Sequence, residues 1–298
     1  LSPVNQFLHA LRSNYGVQSG IKSVTADAER RLFDSVEFMQ AHLDSPAAPG
    51  PVGHGFTQDN VTSQKTYWMA DLSAHVRAFG LDTCNQVAGP DGAVPEDQFT
   101  WLRAGLEQAR AENKICIVLS HHNSTTLENE AKLVIGDNQR LIHAEEFVAM
   151  LQEYPNLVAW FNGHTHINTI IAHAKAGGGG VWEVTTASCI DFPQQQQLIE
   201  IVDNQDGTIS IFTTCLDHSS NAEWTQSDYS QDGLASLSRQ LSANDVIENP
   251  PMRMGSPLDR NCELLLPAPF DMSTITDADL EKAAMRAKDA PLLGTIRL

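Results

Sequence analysis

The sequence predicts an α/β protein, and three observations carry that prediction. From Tyr67 onward short apolar runs alternate with stretches of helical periodicity, the order that builds layers of sheet and helix rather than a helical bundle. Two of those runs end in histidines, so polar groups collect where strands give way to loops. Hydrophobic residues at 42% and charged residues at 19% of 298 are ordinary for a globular chain, enough for one large domain or two modest ones.

Along the chain, Leu32, Phe33, Val36, Met39 and Leu43 form an apolar stripe after Thr25 and predict a helix. Ser45-Pro46-Ala47-Ala48-Pro49-Gly50-Pro51 and Gly53-His54-Gly55 then break regular structure and read as a connector. Pro95 suits the first turn of a helix on which Phe99, Leu102, Leu106 and Ala109 recur, since the N–H it lacks would be unpaired there. A strand follows at Ile115–Leu119. The next helix runs from His143 to Tyr154 with Phe147, Val148 and Leu151 on one face, and Pro155-Asn156 stops it. Strands are predicted at Leu157–Phe161, near Ile170, at Val181–Thr185, and at Leu198–Val202 and Thr208–Cys215, the last two closed as a hairpin by Asn204-Gln205-Asp206-Gly207. Gly177 to Gly180 form a turn. After Asp217 the alternation stops, and helical patterns remain only near Leu234–Leu241 and Asp277–Lys288.

Composition excludes several classes. No run approaches the ~18 apolar residues that a membrane-spanning helix needs. With 19 Lys plus Arg against 37 Asp plus Glu, a net charge of −18, the chain has no broad basic surface for a nucleic-acid backbone. A small phosphorylated substrate stays compatible with that charge, because a bound cation can make one cleft attractive to anions. The five cysteines contain no C-x-x-C pair, and Cys116 sits inside an apolar strand as a small buried hydrophobe.

The chemistry concentrates at two strand ends, Ser120-His121-His122-Asn123 and Asn162-Gly163-His164-Thr165-His166. Neutral imidazoles are good ligands for divalent transition metals. Gly163 lets the chain leave its strand sharply, and the i, i+2 spacing of His164 and His166 sends both rings the same way if the backbone stays extended. Each ring could then reach one of two ions ~3.5–4 Å apart, an arrangement that lowers the pKa of a bridging water. The remaining histidines, His9, His42, His75, His143, His173 and His218 among them, read as structural.

These segments resemble the calcineurin-like metallophosphoesterases. Asn162-Gly163-His164-Thr165-His166 is similar to their G-H-x-H motif and Val118-Leu119-Ser120-His121-His122-Asn123 to their strand followed by H-x-P, which maps the ligand onto His121, although Asn123 where proline is usual leaves His122 as the alternative. Leu81-Asp82-Thr83, Gly89, Gly92 and Asp97-Gln98 to Trp101-Leu102 resemble the family's L-D-T strand and Q-x-x-W-L helix. The resemblance implies the C-terminal part of a layered αββα sandwich, with an insert at 1–65, the phosphoesterase portion at 66–217 and an extension at 218–298. It implies hydrolysis of a phosphate mono- or diester by a metal-bridging hydroxide, with His121 and His164 on one ion and His166 on the other. His122 and Asn123 would lie at the pocket rim, touching the substrate phosphate or capping their loop. Two manganese, iron or zinc ions are expected in the intact protein. Trp182 to Ser188 and Asp191-Phe192-Pro193-Gln194-Gln195 resemble exported bacterial members, which implies export.

The family's D-x-H, G-D-x-x-D and G-N-H-D motifs do not occur in residues 1–120, and Gly136-Asp137 falls in the wrong order between the histidine motifs. No acid, base or leaving-group histidine can therefore be assigned. The expectation is a C-terminal portion of a longer metallophosphoesterase, with an incomplete core that exposes apolar edges and self-associates. The alternatives are a catalytically silent binding module on the same scaffold, or a one-zinc hydrolase using His121, His164 and His166. Oligomeric state and substrate identity are left open.

Overall fold

In the computed structural model the described residues are 25, 27–45, 52–84, 90–129, 140–246, 250–276 and 278. The chain divides into two compact units, Leu1–Asp34 and Ser35–Leu298. In the first, the described residues hold a turn closed from Arg30 N–H to the Asp27 carbonyl at 3.1 Å.

The second unit opens with helix α1 (Ser35–Asp44), a 3-10 turn at Val52–Gly55 and helix α2 (Gln58–Ser63). Leu32 and Phe33, expected on the first helix, precede it, and Leu32 is 94% exposed. Strands β1 (Trp68–Asp71), β2 (Val76–Gly80) and β3 (Val94–Pro95) lead into helix α3 (Glu96–Ala111). The expected face of α3 is buried: Phe99, Leu102, Leu106 and Ala109 all point inward. Then come β4 (Ile115–Leu119), β5 (Leu141–Ile142), helix α4 (Ala144–Leu151), β6 (Leu157–Asn162), β7 (Thr169–Ala174) and β8 (Gly180–Thr185). The hairpin is β9 (Gln195–Asp203) and β10 (Thr208–Asp217), followed by helices α5 (Gln231–Ala243) and α6 (Pro250–Arg253) and strand β11 (Cys262–Pro267). The helical pattern at Asp277–Lys288, apart from Ala278, and the Gly136-Asp137 pair lie outside the described residues.

Six strands form one sheet in the order β1-β2-β4-β6-β8-β7. Its four central strands are parallel and its two edge strands antiparallel. One face carries α3 and α4 over Phe79, Cys116, Val118, Leu157, Trp160 and Val181. The other packs Ile115, Ala159 and Val184 against Ile209, Ile211, Leu264 and Leu266 of a second, antiparallel sheet ordered β11-β10-β9. This is the mixed α/β architecture expected of part of an αββα sandwich. Among the described residues three layers are present, and the outer face of the second sheet exposes Leu198, Val202, Leu216 and Leu265.

Sequence alone misses two features. Strand pairing shifts between β4 and β6, with Cys116 opposite Leu157 and Ile117 opposite Ala159, so Val158 is an extra residue. A bulge of that kind turns Val158 and Ala159 to the same face, while Leu157 and Trp160 stay on the helix side. The extension after Asp217 also contributes β11, whose pairing with β10 completes the second sheet.

Cys116 is buried as expected, and burial pushes its thiol up to about 12. All five cysteines are free.

Candidate metal centre

The four parallel strands end at the same edge of the sheet, and each delivers polar residues there. After β2 the chain continues through Leu81 to Thr83, which is loop rather than the strand expected from sequence. After β4 come His121, His122 and Asn123; after β6, Gly163 to His166; after β8, the bend that holds Asp191. Backbone hydrogen bonds join the two histidine loops, from Ser120 N–H to the Phe161 carbonyl (3.1 Å) and from Gly163 N–H to the His121 carbonyl (3.0 Å).

His121 and His164 meet across that seam. The Nε2 of His121 lies 3.0 Å from the Nδ1 of His164, and the rings are 4.9 Å apart between centroids. Both imidazoles are held below the ordinary histidine range, first by burial and then by neighbouring histidines, so both are neutral at pH 7. Neutral nitrogens this close can bind one ion at the ~2.0–2.1 Å typical of zinc–imidazole bonds. The donor set therefore fits a divalent metal. His122 completes a group of three histidines whose ligand atoms all lie within 4.8 Å of one another.

His166 is not in that group, because the loop is not extended. His164 (φ 65°) and His166 (φ 59°) both adopt the left-handed conformation, which L-residues other than glycine take up at a cost. The extended backbone on which a shared ring direction depended is therefore not the one present. His166 instead turns its Nδ1 to the Asp191 carboxylate, which also accepts from Arg253 Nη1 at 2.5 Å. A neutral imidazole that donates from Nδ1 carries its lone pair on Nε2. Burial pushes the Asp191 carboxyl up, but the hydrogen bonds from His166 and Arg253 outweigh it and hold the group ionised. Arg253 is carried by α6 of the extension, which docks through the Arg253 carbonyl on the N–H of buried Asn168 at 3.1 Å.

His122 lies beneath the rim, not on it. It is 3% exposed, with Nδ1 2.9 Å from Thr83 Oγ1 and Nε2 2.8 Å from the Pro90 carbonyl, so both ring nitrogens are engaged. Asn123, also buried, uses its Oδ1 to accept from Thr125 N–H (3.0 Å), Thr125 Oγ1 (2.7 Å) and Thr126 Oγ1 (3.1 Å), an Asx turn that shapes the loop.

Gly92 makes room for the His122 ring: a Cβ there would lie 2.3 Å from Nδ1 and 2.7 Å from the Thr83 carbonyl. Gly92→Ala is expected to destabilise the fold by ~1–3 kcal/mol, the usual cost of overpacking. Chemical denaturation measures this, and a change under ~0.5 kcal/mol would show that the ring moves aside freely.

No protein-family model matches the sequence, and no curated protein matches it. Among solved structures, a dimetal phosphatase from Danio rerio is similar in part, with a TM-score of 0.37 and 11% identity over 52% of this chain and 59% of that one. The match spans less than two thirds of that phosphatase, and at such distance the chemistry has to come from the side chains themselves.

Sequence reasoning passed over three residues at this edge. Asp191 entered only within a stretch of family resemblance, with no role, and Arg253 lay in an unpatterned extension; they stand 25 and 87 residues from His166. The third, Glu183, is fully buried in β8. Burial pushes its carboxyl up, yet hydrogen bonds from His173, Ser124 and Asn162 together hold it below the usual range, so it is charged. Its signal was a lone acid inside the apolar run Val181-Trp182-Glu183-Val184.

Proposed function

We propose that the chain carries a divalent-metal centre for hydrolysis of phosphate mono- or diesters. The observation that carries this reading is the facing pair, His121 Nε2 and His164 Nδ1, at the ends of adjacent parallel strands. These two nitrogens would hold one ion, and His166, steadied through Nδ1 by Asp191, would offer Nε2 to a second. Zinc, manganese or iron suits imidazole donors. A bound ion would lower the pKa of its water toward neutrality and offset charge on the phosphoryl group.

The chain's own residues do the rest. Asp191 orients His166 and is itself held by Arg253, an ion pair that steadies the imidazole without adding net charge to this end of the site. His122 and Asn123 set the course of the loop that presents His121.

The test is metal content per chain after loading with zinc or manganese and desalting, together with p-nitrophenol release from mono- and bis-p-nitrophenyl phosphate. Bound metal with metal-dependent turnover is expected. Bound metal without turnover would favour the silent binding module, and no bound metal would overturn the metal centre. One ion per chain would place the metal on the facing pair alone.

A further inference from the structure

We propose that Glu183 is the positioning residue that fixes the two histidine loops relative to one another. This rests on the metal-centre reading for its purpose, though not for its geometry. Glu183 pairs in register with Trp160 of β6 and Ile171 of β7, and its carboxylate is wholly shut off from solvent. One oxygen, Oε1, accepts two hydrogen bonds. The first, at 2.7 Å, comes from the backbone N–H of Ser124, three residues past His121. The second, at 2.9 Å, comes from Asn162 Nδ2, two residues before His164. A single buried atom therefore ties together the segments that carry the two facing nitrogens.

The remaining polar atoms close the arrangement. Glu183 Oε2 accepts from His173 Nε2 at 2.6 Å, and Asn162 Oδ1 accepts from Thr185 Oγ1 at 2.6 Å. Asn162 thus spends both ends of its amide on β8, and the rotamer at the root of the Gly163–His166 loop is fixed. A carboxylate inside a sheet-and-helix core carries a large desolvation cost that leucine or valine would avoid. Stability alone does not call for an acid here, whereas the alignment of two loops does. Partners of this outer kind typically change metal affinity ~10–100-fold when removed.

The experiment compares wild type, Glu183→Gln and Glu183→Leu by amide hydrogen exchange without metal and by zinc titration. In wild type the Ser124 amide is expected to exchange far more slowly than the same amide in an unstructured chain. In Glu183→Leu, exchange across both 120–126 and 161–168 is expected to rise at least about tenfold, and zinc affinity to fall ~10–100-fold. Glu183→Gln keeps an acceptor for Ser124 and Asn162 while its amide can donate to the other tautomer of His173, so it should fall between. A folded Glu183→Leu chain with wild-type exchange in both loops overturns the proposal, and so does an unprotected Ser124 amide in wild type, which needs no variant. If wild type binds no zinc while Glu183→Leu still loosens both loops, the metal reading fails and the tether stands.

Discussion

Replacing His164 with alanine is expected to weaken zinc binding more than 100-fold, beyond the ~10–100-fold that an outer partner contributes, and to abolish metal-dependent release of p-nitrophenol. The reason is geometric. His164 supplies one of the two nitrogens that face each other at 3.0 Å, and no other described histidine can replace it: His122 has both nitrogens engaged and His166 is turned to Asp191. The same position predicts a stability effect of opposite character. At φ 65° a residue with a Cβ is strained and glycine is not, so His164→Gly should be more stable than His164→Ala by about 1 kcal/mol, although both have lost the ligand. Calorimetric zinc titration and denaturant unfolding of the two variants read these effects separately. Zinc affinity unchanged in His164→Ala would remove His164 from the centre. Equal stability of the two variants would mean that the loop relaxes once the imidazole is gone.

That strain also marks the boundary of what the sequence could show. Strands β4 and β6 were legible because residues buried on both faces leave an uninterrupted apolar run, and α3 because Phe99, Leu102, Leu106 and Ala109 keep helical spacing. The histidines stood out because they follow those runs directly. Loop conformation left no such trace: the i, i+2 spacing of His164 and His166 fits an extended backbone as well as the left-handed one, and only tertiary contacts choose between them. Partners distant in sequence were equally hidden. Nothing around Arg253 announces a carboxylate 62 residues earlier, and β11 reads as a short leucine run whose place depends on pairing with β10. Glu183 was the exception, since a lone acid inside an apolar strand is itself a signal that a buried polar group must be satisfied.

The coupling of core to centre is best tested at Trp160, the largest fully buried side chain among the described residues. Its ring packs edge-on against Phe147 of α4, with centroids 5.1 Å apart, and its Nε1 donates to Ser120 Oγ at 2.8 Å. Ser120 Oγ in turn donates to the His122 carbonyl at 2.7 Å, so the indole reaches the histidine loop in two hydrogen bonds. Trp160→Ala is expected to cost ~3–5 kcal/mol, from lost burial plus the cavity left between sheet and helices. For a unit of this size that is a fall of about 6–20 °C in Tm. Trp160→Phe separates the two contributions. It fills most of the cavity but leaves Ser120 Oγ without its donor, so it should cost only ~1–2 kcal/mol while loosening the loop that holds His121. Amide exchange at residues 120–123 should rise in Trp160→Phe even though the core stays packed. If exchange there is unchanged, the indole N–H does not reach the centre, and Trp160 serves the core alone.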